Sequence, residues 1–157
     1  MMNLTRMIFA AALAASLLPL SALAQDAEFK LPEQCTASAG MGGMDHSAMG
    51  ADGMDSDMMK MMGIQGADLS AMPKHVQENM QKMMTTMPAM HVGMMNEDAD
   101  IAFACGMIAH HQGAIDMAQV LLANGKDPAM RALAEGIIAA QVGEIEQMTK
   151  WLGGNAN

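Results

Sequence analysis

The chain has 157 residues, 23 of them methionine, one tryptophan and no tyrosine, and a formal charge of −9. That length suits one small domain with appendages. The acidic balance and the scarcity of aromatic rings argue against a nucleic-acid surface, which needs basic patches and stacking side chains, and suit cations or plain solubility.

Residues 1–24 read as a secretory signal: Arg6 supplies the positive end, Ile8 to Leu20 the apolar core, and Ala22-Leu23-Ala24 the small-residue cut site before Gln25. An uncleaved anchor would need about 20 apolar residues, more than this run offers. The residue after the cut is not cysteine, which argues against a bacterial lipid anchor. The expected location is periplasmic or secreted, with no membrane attachment after cleavage. Removing the leader takes away three methionines and one arginine, leaving 20 methionines and a formal charge of −10. In such a compartment Cys35 and Cys105 can pair as a disulfide. The competing role for Cys105 is that of a small buried apolar residue.

Residues 25–69 form an expected flexible leader, with a methionine-rich segment at 41–62. Those 22 residues hold 8 methionines, 4 glycines, 4 aspartates and His46, with no Leu, Ile, Val or Phe. A core segment would carry aliphatics; this composition is that of a flexible chain. Thioethers are soft and uncharged, so they select soft ions such as Cu(I). Met41, Met44 and Met49 around His46 give a first candidate ligand group. The alternative is a sacrificial oxidant trap, because exposed methionine forms sulfoxide reversibly.

The helical domain is expected over residues 70–157. Ser70 can cap its first helix, with Pro73 in the first turn. His75, Met80, Met83, Met84 and Met87 recur at helical spacing, Pro88 is expected to kink or end the helix, and Met90, His91, Met94 and Met95 lie beyond. Only Val76 and Val92 are aliphatic there. Packing alone and packing with metal contact, through Met87 and His91, both stay open.

Asn96-Glu97-Asp98 makes a polar turn that starts the central helix, acidic residues being favourable at its positive end. At roughly 100° per residue, Phe103, Met107, His110, His111, Ala114, Met117 and Leu121 share one face. Ile101, Ile108, Ile115 and Leu122 make an adjoining apolar stripe. Burying an imidazole without a partner costs about 1–3 kcal/mol, so a metal ion or a facing carboxylate must satisfy these rings. Cys105 projects away from Met107 and His110.

The helix is expected to run to about Ala123 and to break at Asn124-Gly125-Lys126, with Gly125 as a left-handed cap. Asp127-Pro128 is a strong start signal. The last helix is expected to end near Leu152, before Gly153-Gly154, and to lie antiparallel to the central one across the short loop. Its buried stripe is Met130, Leu133, Ala134, Ile137, Ile138, Ile145, Met148 and Leu152. Gln141 and Glu144 fall in or beside that arc, where Glu144 can ligate a metal directly or accept an N–H from a ligating histidine.

The run D-x-x-F-x-x-G-M-I-x-H-H-Q-G-A-I-D-M-A, Asp100 to Ala118, resembles the signature of the DUF305 family of CopM-like periplasmic copper-binding proteins. So does A-A-Q-x-x-E-I-x-Q-M-x-x-W-L, Ala139 to Leu152. The resemblance covers roughly residues 83–152, with the 41–62 segment outside it. It implies an all-α, small ferritin-like bundle of antiparallel helices that binds Cu(I), and Ag(I) as its soft analogue, in copper sequestration, transfer or resistance. Carried over by position, the ligands are Met107, His110, His111, Met117 and Met148. Ala109 departs from the proline common in the family at that place. Copper-transfer proteins of the periplasm are the partners implied. With only three substantial helices visible, a homodimer would be one way to complete a four-helix bundle. Two rival functions remain: a metal-dependent oxidase of the cuprous oxidase type, and a structural helical module without metal. A di-iron oxidase would need Glu-x-x-His pairs, which the chain lacks.

Overall fold

The computed structural model describes residues 29–36, 66 and 68–156. The expected signal and the 41–62 segment lie outside the described residues. Three helices make an all-α bundle: α1 (Lys74–Met94), α2 (Ala99–Asn124) and α3 (Pro128–Asn155). Single 3-10 turns, Glu33–Cys35 and Leu69–Ala71, precede them. Among the described residues there is no strand, and no helix is long and apolar enough to cross a membrane.

Helix α2 lies at the centre, packed on α1 and on α3. Its small and aliphatic residues run round most of its circumference, the pattern of a helix buried on more than one side. Ala104, Cys105, Ile108, Ala109, Ile115, Ala118 and Val120 are all buried. By contrast α3 fully buries only Ala134 and Leu152. The expected stripe on α3 is therefore only partly covered: Ile137, Ile138, Ile145 and Met148 are half-buried, whereas Met130 and Leu133 are exposed. One neighbour cannot cover an arc that wide. Phe103, expected on the inward face, is 66% exposed for the same reason, at the edge of the α2–α3 contact beside Met148 and Trp151.

The helix ends follow local chemistry with four departures. Asp68, not Ser70, caps the 3-10 turn, accepting from the Ser70 backbone N–H at 3.0 Å and its hydroxyl at 2.6 Å. Helix α1 continues through Pro88 to Met94, so packing on α2 outweighs a proline cost of about 3 kcal/mol. Gly125 is extended rather than left-handed (φ −81°). Its glycine is required by space, because a Cβ there would stand 2.8 Å from the Leu121 carbonyl oxygen. Arg131 closes the end of α2 instead, donating to the carbonyls of Leu122 at 2.6 Å and Gly125 at 3.1 Å. Finally, α3 runs through Gly153-Gly154, held by the fully buried Leu152. The starts of α2 and α3 are as expected. Asp98 accepts from the N–H groups of Asp100 and Ile101, and Asp127 from those of Ala129 and Met130.

Two tethers hold α2 in place. Against α1 the backbones touch: a Cβ on Gly93 would lie 2.7 Å from the Cys105 carbonyl carbon and 2.8 Å from the Gly106 nitrogen. On another side, Cys35 and Cys105 form a disulfide, which brings Phe29 and Leu31 onto a core of Ala104, Ile108 and Leu152. At the far end of α1, Glu78 accepts from Asn124 at 2.7 Å and pairs with Lys74 at 3.0 Å. The Lys74 ammonium, then the Asn124 amide, hold the Glu78 carboxyl below its usual range.

The disulfide closes a loop of 70 residues, worth about 4 kcal/mol on the chain-entropy scale. A Cys35→Ser/Cys105→Ser chain should therefore unfold at a lower urea midpoint, with a loss of about 2–4 kcal/mol. Reductant should reproduce the shift in the native chain. Equal midpoints would contradict the tether.

Candidate metal site

On α1, Asn79, Met83, Met87 and Met90 follow one another at three- and four-residue steps and so share a face, with Thr86 three residues after Met83 beside it. That face meets α2 across Ala109, Gly113 and Ala114, whose small side chains leave space between the helices. The result is a cavity of about 190 Å³. Its donors are the thioethers of Met83, Met87 and Met90 from α1, and His110 and Met117 from α2. His110 is exposed at one edge, so its ring borders both cavity and water. Lys82 also lines the cavity, but its ammonium lies 3.6 Å from the buried Asp116 carboxylate. Asp116 also accepts from Gln112 at 3.1 Å. Thr86 donates its hydroxyl to the Lys82 carbonyl at 3.2 Å. The donors left over in this cavity are neutral: four sulfurs, an imidazole and the Asn79 amide oxygen, which has no hydrogen-bond partner.

The two adjacent histidines do not share a site. The His111 ring centroid is 5.8 Å from that of His110, with the planes inclined by 62°. His111 is buried and its Nε2 lies 2.6 Å from Glu144 Oε2 on α3. Its Nδ1 is buried with no partner, as is Gln141 Oε1 three residues before Glu144. The single inward face expected for Met107, His110, His111 and Met117 is thus corrected. A helix with neighbours on two sides sends consecutive residues, about 100° apart, toward different neighbours. Glu144 takes the orienting position against His111. The unpartnered Nδ1 has the chemistry of a ligand nitrogen backed by a carboxylate.

The other expected ligands separate as well. Met148 packs against the disulfide core and lines a different cavity, of about 360 Å³, with Phe103 and Trp151. Met107 is half-buried and lines neither cavity, and His91 is exposed and lines neither. Met87, for which the sequence leaves packing alone and packing with metal contact both open, lines the cavity with His110 and Met117. Met41, Met44, His46 and Met49 lie outside the described residues. Met83 and Met90 were legible only as members of a methionine stripe, through their four- and three-residue steps from Met87. Among the described residues no three His, Cys, Asp or Glu side chains converge as metal ligands.

The family model described as "Domain of unknown function (DUF305)" matches residues 20–152. The match extends well before residue 83, where the motif resemblance begins, and includes the 41–62 segment. No curated protein matches the chain.

The Glu144–His111 bond yields a direct expectation. Glu144→Ala leaves a buried imidazole nitrogen unpaired and should cost about 1 kcal/mol in urea unfolding. Glu144→Gln, which keeps an acceptor oxygen, should recover most of it. Equal losses for both variants would show that the bond carries none of the effect.

Proposed function

The chain belongs to the DUF305 family, and from that premise we propose that it binds Cu(I) for sequestration or transfer and is not an enzyme. The observation that carries this reading is the α1–α2 cavity, where four thioethers and His110 are brought together. Thioether and imidazole donors are neutral, so they suit a soft monocation. A hard divalent ion would want carboxylate or carbonyl oxygens. Ag(I), equally soft, should take the same donors.

The choice of sulfur also supports the reading. Both cysteines of the chain are in the disulfide, so no thiolate competes for the ion. In an oxidising compartment thiols pair and thioethers persist, which fits the signal-like residues 1–24 and a periplasmic or secreted location. The acidic, methionine-rich 41–62 segment, with His46, supplies further soft donors for capture. A periplasmic acceptor protein would receive the ion. Holding rather than turnover is favoured by a set of neutral thioether and imidazole donors, the nearby Asp116 carboxylate being engaged by Lys82 and Gln112.

Anaerobic competition for Cu(I) against a chromophoric chelator tests the proposal. His110→Ala should weaken binding at least tenfold, about 1.4 kcal/mol. Met83→Leu/Met87→Leu/Met90→Leu, close in volume, should weaken it further without unfolding the bundle. A chain lacking residues 41–62 should keep the His110-dependent affinity. Supplied Cu(I) in air should cause no sustained oxygen uptake. Failure of the intact protein to compete with a weak chelator would overturn copper binding, and steady oxygen uptake would overturn the non-enzymatic reading.

A further inference from the structure

The α1–α2 groove does not end at the thioether cavity. Toward the start of α1 it opens into a second cavity of about 290 Å³, bordered by His75 and Asn79 from α1 and by the last turns of α2. Asn79 and Met117 line both cavities. His75, Asn79, Met83, Met87 and Met90 lie along one face of α1 at three- and four-residue steps, a row of about 22 Å at 1.5 Å per residue. His75 stands at one end of this row, and His110 borders the groove beside its thioether half.

The two halves differ in what they offer an ion. The second cavity lies where the end of α2 meets the start of α1, so the two helix dipoles oppose one another there, and Arg131 already engages the last α2 carbonyls. The Glu78 carboxylate is close by, between Lys74 and Asn124. His75 is exposed and presents an imidazole to solvent. Asn79 Oδ1 is buried without a hydrogen-bond partner, but as a hard oxygen bordering both cavities it leaves the His75 imidazole and the Met117 sulfur as the soft-ion donors of the second. Met117, 53% exposed and with three rotatable bonds, can turn its sulfur toward either cavity. The first cavity has four sulfurs, with the Asp116 carboxylate, paired with Lys82, beside it.

Resting on the copper reading of the first cavity, we infer that the groove contains a second soft-metal position, at His75 and Met117. Cu(I) is taken up there from solvent and handed by Met117 to the thioethers beside His110. No bond to the protein other than metal–ligand bonds forms or breaks, and the ion keeps its charge throughout.

The test is an anaerobic Ag(I) titration of the full-length mature protein, reading the side-chain nitrogens of each histidine separately by NMR. Both His75 and His110 should shift, while the exposed His91 stays in place. Met117→Leu should abolish the His75 response and weaken the His110 response at least tenfold. If His110 shifts and His75 does not, the second position is wrong and the first stands. If neither shifts, the copper reading beneath it fails too. A His75 shift matched by His91, or one that survives Met117→Leu unchanged, would mark ordinary surface coordination and overturn the inference.

Discussion

Helix α2 has to satisfy two neighbours at once, and most of the molecule follows from how it does so. At Gly93 and Gly106 it meets α1 backbone to backbone, and at Cys105 it is tied covalently to the segment around Cys35. These contacts leave no freedom to rotate the helix about its axis. With its rotation held, each residue of the double-histidine run faces one assigned neighbour: His110 the methionines of α1, His111 the carboxylate of α3. A turn of α2 by one residue, about 100°, would carry one histidine into the other's place and break this assignment.

The division of labour has a chemical logic. On the α3 side a half-exposed carboxyl group and a buried imidazole make a short hydrogen bond, which favours a fixed ring. On the α1 side the donors are neutral and their side chains adaptable, which favours a soft ion over any hydrogen-bond network. Small residues at Ala109, Gly113 and Ala114 keep that side from filling with packed hydrocarbon. Methionine can pack or ligate, and the bundle uses it for both: Met148 closes the disulfide core, whereas Met83, Met87 and Met90 border open space.

Much of this was readable in the amino-acid order. The caps at Asp98 and Asp127-Pro128, the three helices and the family motif depend on local chemistry, and local chemistry is written in adjacent residues. The apolar run Ile101, Ile108, Ile115 and Leu122 correctly marked a buried face of α2, with Ile108 and Ile115 fully covered. What could not be read depended on distant contacts. Pro88 stays inside α1 because α2 supports it, and Gly125 is needed for Leu121 rather than for a left-handed turn. The separation of His110 from His111 required knowing that α1 and α3 both pack against α2. A helical wheel shows angles but not which neighbour occupies each direction. For the same reason the methionine stripe of α1 showed a face without showing that Met83 and Met90, rather than His91, would look into the cavity.

Copper K-edge X-ray absorption at one equivalent of Cu(I) tests the central claim most directly, comparing the native chain with His110→Ala. The expected native spectrum has a sulfur-dominated shell with one imidazole nitrogen, and the variant loses the nitrogen while keeping the sulfur. A shell of nitrogen and oxygen alone, or a nitrogen contribution unchanged in the variant, would contradict a copper site built from His110 and the methionines of the α1–α2 cavity.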